Sequence, residues 1–281
     1  EAIKHNVATQ ISKLKDGQSL FAVVKANAYG QGLLPAAHAL RDLVDGFGVA
    51  RLREALEIQE TGYQGKILLV EGFFDREELL KTLSRRFDTV IHCMEQLELL
   101  EQVAKEWDEE QQKGFWKRKA KIYFPIHVWL KIDTGMHRAG FEERDLERLI
   151  DFFASHTELK VMSVFSHLAA ADETSDEMND FTMSQIRLFD SIAKRLESAL
   201  GYKVIKHILN SAGIERFSDY QFDMVRLGVG LWGVSADSAN NLRNVCSLYT
   251  KIIQIKDVKA GETVGYSRRG KVDTDKRIAL V

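Results

Sequence analysis

Cysteine is scarce: the 281 residues hold two, Cys93 and Cys246, far apart and without a second ligand at metal spacing. That argues against a disulfide framework and a zinc site, and leaves buried thiols in a reducing compartment as the plain reading, with no metal expected. An excess of one charge is lacking too. With a formal net charge of −2, the chain has none of the basic surplus of a general nucleic-acid binder, so a small molecule is the better expectation for its partner. The amino terminus Glu1-Ala2-Ile3-Lys4-His5-Asn6 has no apolar core of a secretory signal, and no window approaches a membrane span, so a cytoplasmic location is expected. No internal repeat or low-complexity tract stands out. The stretch Lys105 to Lys121 mixes charges of both signs around Trp107 and Trp116 without a clean period, and reads as a solvated helix end or a surface insertion.

What is present is ordinary for a soluble globular protein: 45% hydrophobic and 28% charged residues, in a chain long enough for one large α/β domain and the start of another. Eight short runs rich in branched and aromatic residues read as strands. They are Phe21 to Lys25, Phe47 to Ala50, Lys66 to Glu71, Thr89 to Cys93, Ile126 to Asp133, Val161 to His167, Ile205 to Asn210 and Met224 to Leu231. Between them a helical period recurs: Leu33, Ala36, Ala37, Leu40 and Val44 share one face, as do Leu146, Leu149, Ile150 and Phe153. Alternating strand and helix demands a parallel sheet, and eight units in so short a length favour a closed (β/α)8 barrel of the TIM type over 1–238. After Trp232 the pattern changes. Leu248 to Val258 and Arg277 to Val281 read as strands with no helix between them, so a β-rich domain is expected to begin at 239 and run to 281.

In a barrel the chemistry belongs at the carboxyl ends of the strands. The first candidate strand ends in Val23-Val24-Lys25-Ala26-Asn27-Ala28-Tyr29-Gly30-Gln31-Gly32. Partial desolvation among valines and alanines would favour the neutral amine of Lys25 and let it condense with an aldehyde. The same context also suits a lysine whose stem lies on apolar surface and whose charge reaches water.

The string Val24 to Gly32 resembles the cofactor-lysine motif of alanine racemases, and further segments follow in that family's order. Lys131-Ile132-Asp133-Thr134-Gly135-Met136-His137-Arg138-Ala139-Gly140-Phe141 resembles the signature at the fifth strand. Ser166-His167-Leu168, Asn210-Ser211-Ala212-Gly213 and Arg226-Leu227-Gly228-Val229-Gly230-Leu231 resemble those at the sixth, seventh and eighth. Gly265-Tyr266 matches the position of the catalytic tyrosine.

The resemblance implies interconversion of L-alanine and D-alanine through a pyridoxal 5'-phosphate aldimine and a two-base mechanism, supplying D-alanine for peptidoglycan. Lys25 would carry the cofactor and act as one acid-base group, and Tyr266 as the other, from the opposite face. Tyr29, Asn210, Ser211, Gly213, Gly228 and Val229 would bind the cofactor around its phosphate, where glycines permit close approach and oriented N–H groups favour an anion. His167 would lie against the pyridine ring, although a histidine at a strand end is as often a core residue. Arg226 would face the ring nitrogen and discourage its protonation; a weaker electron sink suits racemisation, whereas decarboxylases of this fold place a carboxylate there. Arg138 would bind the substrate carboxylate with its fixed fork of donors. Lys131 matches a lysine that family members carry as a carbamate. Tyr266 would come from the partner subunit, which implies a head-to-tail homodimer with shared sites.

Two departures stand beside this. Tyr266-Ser267-Arg268-Arg269-Gly270 looks more like the racemase half of a fusion with a UDP-N-acetylmuramoyl-tripeptide D-alanyl-D-alanine ligase. The chain also starts without a first β-domain strand and stops at Ile278-Ala279-Leu280-Val281, so it reads as a fragment, and the sequence leaves open whether it is active alone. The alternatives are a broad-specificity racemase of the same cofactor class and a non-catalytic barrel that binds the cofactor.

Overall fold

A computed structural model describes residues 1–112 and 122–281, with the backbone alone at 107–112 and 238. Of the Lys105 to Lys121 stretch, the Trp107 side chain and residues 113–121, Trp116 among them, lie outside the described residues. The chain divides into two compact units, Glu1–Val245 and Cys246–Val281.

The first unit carries eight parallel strands: β1 (Ser19–Val23), β2 (Gly46–Val49), β3 (Lys66–Leu69), β4 (Asp88–Ile91), β5 (Ile126–Lys131), β6 (Leu159–Phe165), β7 (Ile205–His207) and β8 (Met224–Leu227). Each pairs with its sequence neighbour from β1 to β7, and β8 pairs with β1. The β7–β8 seam is drawn together by two backbone bonds, Asp223 N–H to Lys206 O at 3.0 Å and Arg226 N–H to Leu209 O at 3.1 Å. The sheet thus forms a nearly closed barrel, as the alternation of strand and helix required.

Helices follow the strands and pack on the outside. Leu33–Leu40 buries Leu33, Ala36, Ala37 and Leu40, and Leu146–Ser155 buries Leu146, Leu149 and Phe153, the apolar faces read from the sequence. The helix Ala2–Ile11 precedes β1 and is tied to the loop after β8 by Asn6, whose Nδ2 donates to Leu231 O at 3.0 Å and Arg243 O at 2.8 Å. Inside the barrel a separate cluster of Phe21, Leu68, Val90, Trp129, Phe165 and Met224 fills the lumen. It forms the floor of the site above it.

All eight strands end earlier than the sequence suggests: Lys25, Ala50, Glu71, Cys93, Asp133, His167, Asn210 and Leu231 each lie past the last strand residue. The apolar pattern runs on because the loops at this end are themselves buried, at Val24, Ile132, Leu168, Ile208, Leu209 and Leu231. Burial continues where pairing has stopped, and periodicity reports only burial.

In the second unit β9 (Gln254–Val258) pairs antiparallel with β12 (Lys276–Leu280), and β10 (Thr263–Val264) with β11 (Gly270–Lys271). The expected strand from Leu248 therefore occupies only its second half. Tyr266 opens the short 3-10 turn Tyr266–Arg268 between β10 and β11 and is fully exposed.

Candidate active site

Side chains alternate along a strand, so a residue two places beyond an inward one is inward again. Trp129 on β5 leads to Lys131 and Met224 on β8 to Arg226, while Lys25 and His167 stand two residues past Val23 and Phe165, the last residues of β1 and β6. The lumen's aromatic floor is thereby topped by a ring of nitrogen-bearing side chains at the carboxyl mouth.

These groups lie close enough to act on one another. Lys131 is pulled down from 10.5 to about 8, first by burial and then by the charges of Arg138, Arg226 and Lys25, with Asp133 opposing. His167 is held well below its usual value by burial, then by Arg226, Arg138, Lys131 and Lys25. It is therefore a neutral ring at physiological pH. The only ion pair to Lys25 among the described residues is Glu71, at 3.9 Å.

Arg226 is buried. Its Nη2 donates to Ser166 O at 2.6 Å and Ile208 O at 3.4 Å, and its Nη1 to His207 Nδ1. Burial lowers it to about 9, which leaves it cationic at neutral pH, and among the described residues no carboxylate pairs with it. A buried, unpaired guanidinium is costly, so its carbonyl acceptors and His207 matter. With Nδ1 accepting, the His207 proton sits on Nε2 and donates to Ser163 Oγ at 3.0 Å, while Ser163 donates to Ile205 O at 2.8 Å. His207 is held neutral by burial and by Arg226, and stacks on Phe165 with centroids 4.8 Å apart. The sequence reading passed over His207 and Ser163. Their signal was the two-residue alternation from Ile205, which puts His207 inside the barrel beside the β8 arginine.

The loop after β5 is pinned by Asp133, whose Oδ1 accepts from Gly135 N–H at 2.9 Å and His137 N–H at 3.1 Å. It closes where Phe141 N–H reaches Lys131 O at 2.9 Å and Asp133 N–H reaches Phe141 O at 2.8 Å. Gly140 has φ +129°, and a Cβ there would come within 2.7 Å of Asp133 N, so the closure requires glycine. Arg138 rides this loop and is exposed.

Beside β1, which pairs with β8, the loops after β7 and β8 meet. Ser211 Oγ accepts from Gly228 N–H at 3.0 Å and Gly230 N–H at 3.1 Å. Asn210 caps its helix by accepting from Gly213 N–H at 3.0 Å. Of the amides expected to face an anion, those of Gly213 and Gly228 are thus engaged within the chain, whereas the Val229 side chain is exposed. A Cβ on Gly228 would stand 2.8 Å from the Tyr29 hydroxyl, so this glycine opens a cradle between Tyr29, Ser211 and the β8 loop. Partial burial raises the Tyr29 hydroxyl above its usual value and keeps it a donor.

Lys25 itself heads an unusual segment. Ala26, Asn27, Ala28 and Tyr29 all have positive φ, between 54° and 56°, making one turn of left-handed helix that Gly30 ends at φ 83°. The turn is clamped by Glu54 from the helix Leu52–Glu60, whose Oε1 accepts from Asn27 N–H at 2.9 Å.

Residues 1–236 match the alanine racemase N-terminal domain and residues 245–281 the alanine racemase C-terminal domain. The chain belongs to the alanine racemase family. Alanine racemase of Actinobacillus pleuropneumoniae is 51% identical over 285 residues, covering 100% of this chain and 74% of that protein. The Haemophilus ducreyi alanine racemase is 52% identical over 270 residues, 95% of this chain and 70% of the relative. Among solved structures, the biosynthetic alanine racemase of Pseudomonas aeruginosa aligns with a TM-score of 0.79 at 31% identity, covering 99% of this chain and 72% of that one. Alanine racemases depend on pyridoxal 5'-phosphate, and the mouth of this barrel fits that group: a lysine, a cradle that a Cβ would fill, and a buried arginine with no counter-charge among the described residues.

Proposed function

We propose that this chain is the racemase that interconverts L-alanine and D-alanine, with pyridoxal 5'-phosphate carried on Lys25. The observation that supports it most is the convergence of Lys25, Lys131, Arg138, His167 and Arg226 at one mouth, where the charges of the lysines and arginines bear on Lys131 and on the neutral His167. When bound, the cofactor supplies an electron sink that makes the α-proton of the amino acid acidic.

The chain's own residues do the rest. Tyr29 and Ser211 would donate to the phosphate beside Gly228 and Val229, while Asn210 and Gly213 fix the turn from which Ser211 projects. His167 would lie against the ring. Arg226, charged at neutral pH, would discourage a proton on the ring nitrogen and so limit the sink to what proton exchange at the α-carbon needs. Arg138 holds the substrate carboxylate with two donors. Lys131, with its amine partly neutral near pH 8, can take up carbon dioxide as a carbamate and release one proton, giving Arg138 an anionic partner. Lys25 takes or returns the α-proton from one side and Tyr266 from the other, so each enantiomer meets a base.

On this reading Tyr266 serves the partner's site in a head-to-tail homodimer, the protein is cytoplasmic, and the D-alanine goes to peptidoglycan. Among the described residues no helix is long and apolar enough to cross a membrane. A fused ligase rests on residues 266–270 alone, and sequencing the gene upstream tests it.

The experiment is to incubate the chain with pyridoxal 5'-phosphate, reduce with borohydride and map the labelled peptide. Label is expected on the peptide holding Lys25 and lost in Lys25→Ala. Label that persists on another lysine would overturn the assignment.

A further inference from the structure

We propose that Glu54 is a positioning residue for Lys25, because its carboxylate spans the strained turn after β1 and the loop after β2 and holds one against the other. The inference rests on Lys25 being the cofactor lysine.

Four consecutive residues without the freedom of glycine, Ala26 to Tyr29, sit in the left-handed region. Each such residue is disfavoured by contact between its Cβ and the following carbonyl, so a run of them persists only when the surroundings over-determine it. Some of that support is internal: Ala28 N–H donates to Val24 O at 2.8 Å and Leu33 N–H to Asn27 Oδ1 at 2.8 Å. The support from another element is Glu54. Its Oε1 accepts from Asn27 N–H at 2.9 Å, and its Oε2 from Ala50 N–H at 3.0 Å and Arg51 N–H at 3.3 Å. One oxygen serves the turn and the other closes the start of the helix Leu52–Glu60, so both carboxylate oxygens are needed, and a glutamine in this place could offer only one. Val24 N–H is bonded to Gly48 O at 2.8 Å just upstream, which fixes the point from which the turn departs. The turn then decides two things together, where the Lys25 amine points and where Tyr29 reaches Gly228. Releasing Asn27 loosens both.

The test is hydrogen exchange on the cofactor-free chain, read amide by amide. Glu54→Ala should speed exchange at Asn27 to Gly30 about 10- to 100-fold, the range for losing a hydrogen bond to a charged acceptor, while amides of β5 such as Val128 and Leu130 keep their rates. Glu54→Gln should fall between. Adding Ala26→Gly, which removes a Cβ from a left-handed position at an exposed residue, should slow exchange at the turn again and recover part of the Glu54→Ala loss in affinity for pyridoxal 5'-phosphate. A general role in stability would not be rescued by that local change. Unchanged exchange at the turn, or equal acceleration throughout the barrel, would overturn the proposal. If wild-type Lys25 carries no borohydride-trapped cofactor, the functional reading fails while the exchange result still decides whether Glu54 holds the turn.

Discussion

Lys131 sits two residues beyond Trp129 in the inward column of β5, and its depressed value makes a definite prediction about pH. The folded value of about 8 lies below the ordinary 10.5, so between those two the unfolded chain holds a proton that the folded chain has released. Stability therefore rises with pH across that window, and the charged amine costs stability in full below it. Lys131→Met should be more stable than the parent by about 1–3 kcal/mol at pH 7, with the gap closing toward pH 10.5. Urea unfolding in bicarbonate-free buffer at several pH values measures it; equal stability of the two at pH 7 would contradict the burial argument. Arg226 gives a second prediction at this scale. Arg226→Glu in a cofactor-loaded, active enzyme should slow racemisation and raise the share of transamination, read from the ratio of D-alanine to pyruvate formed. An unchanged ratio would mean the guanidinium only fills and charges the cavity. Arg226 was legible because its neighbours form a distinctive string. His207, which accepts its hydrogen bond, was not, since Ile205-Lys206-His207 carries no motif and its importance comes from a partner 19 residues away.

At the scale of elements, the number, order and direction of strands could be read from the sequence, whereas their ends could not. Lys25 was expected to close β1; it instead opens a left-handed turn that no propensity pattern announces, because alanine and asparagine there obey tertiary contacts rather than their own preferences. Similarly, Met224 to Leu231 read as one strand, but pairing stops at Leu227 and the chain turns into the 3-10 segment Val229–Trp232. The loop after β5 was better marked, since Gly135 and Gly140 bracket it. Gly140→Ala would force a Cβ against Asp133 N and Ile132 C at a φ that alanine rarely adopts. A loss of about 1–3 kcal/mol is expected, visible as a lower melting temperature. Because Arg138 rides this loop, the KM for alanine should rise more than kcat falls. A variant with unchanged melting and kinetics would show that the closure is softer than its geometry indicates.

Across the whole molecule, a barrel that brings four cationic side chains to one mouth contains, on our reading, one acid-base group for the α-carbon, Lys25, whereas racemisation of both enantiomers calls for two. The second on our reading is Tyr266, which lies in the unit Cys246–Val281 and is 99% exposed in the single chain. In a cofactor-loaded, active enzyme, Tyr266→Ala should suppress proton exchange from one enantiomer of alanine far more than from the other, by about a hundredfold or more, the usual contribution of an acid-base group. Lys25→Ala should abolish activity. If the tyrosine of one subunit serves the lysine of its partner, co-expressed chains carrying Tyr266→Ala and Lys25→Ala must form heterodimers in which one site has both groups intact and the other has neither. Differently tagged chains allow those heterodimers to be isolated in two steps, so their presence is established before their rate is measured. They should then recover up to about half the wild-type rate per dimer, following from one intact site of two. Isolated heterodimers with no activity above either parent would mean that lysine and tyrosine act within one chain, or that Tyr266 is not the second base.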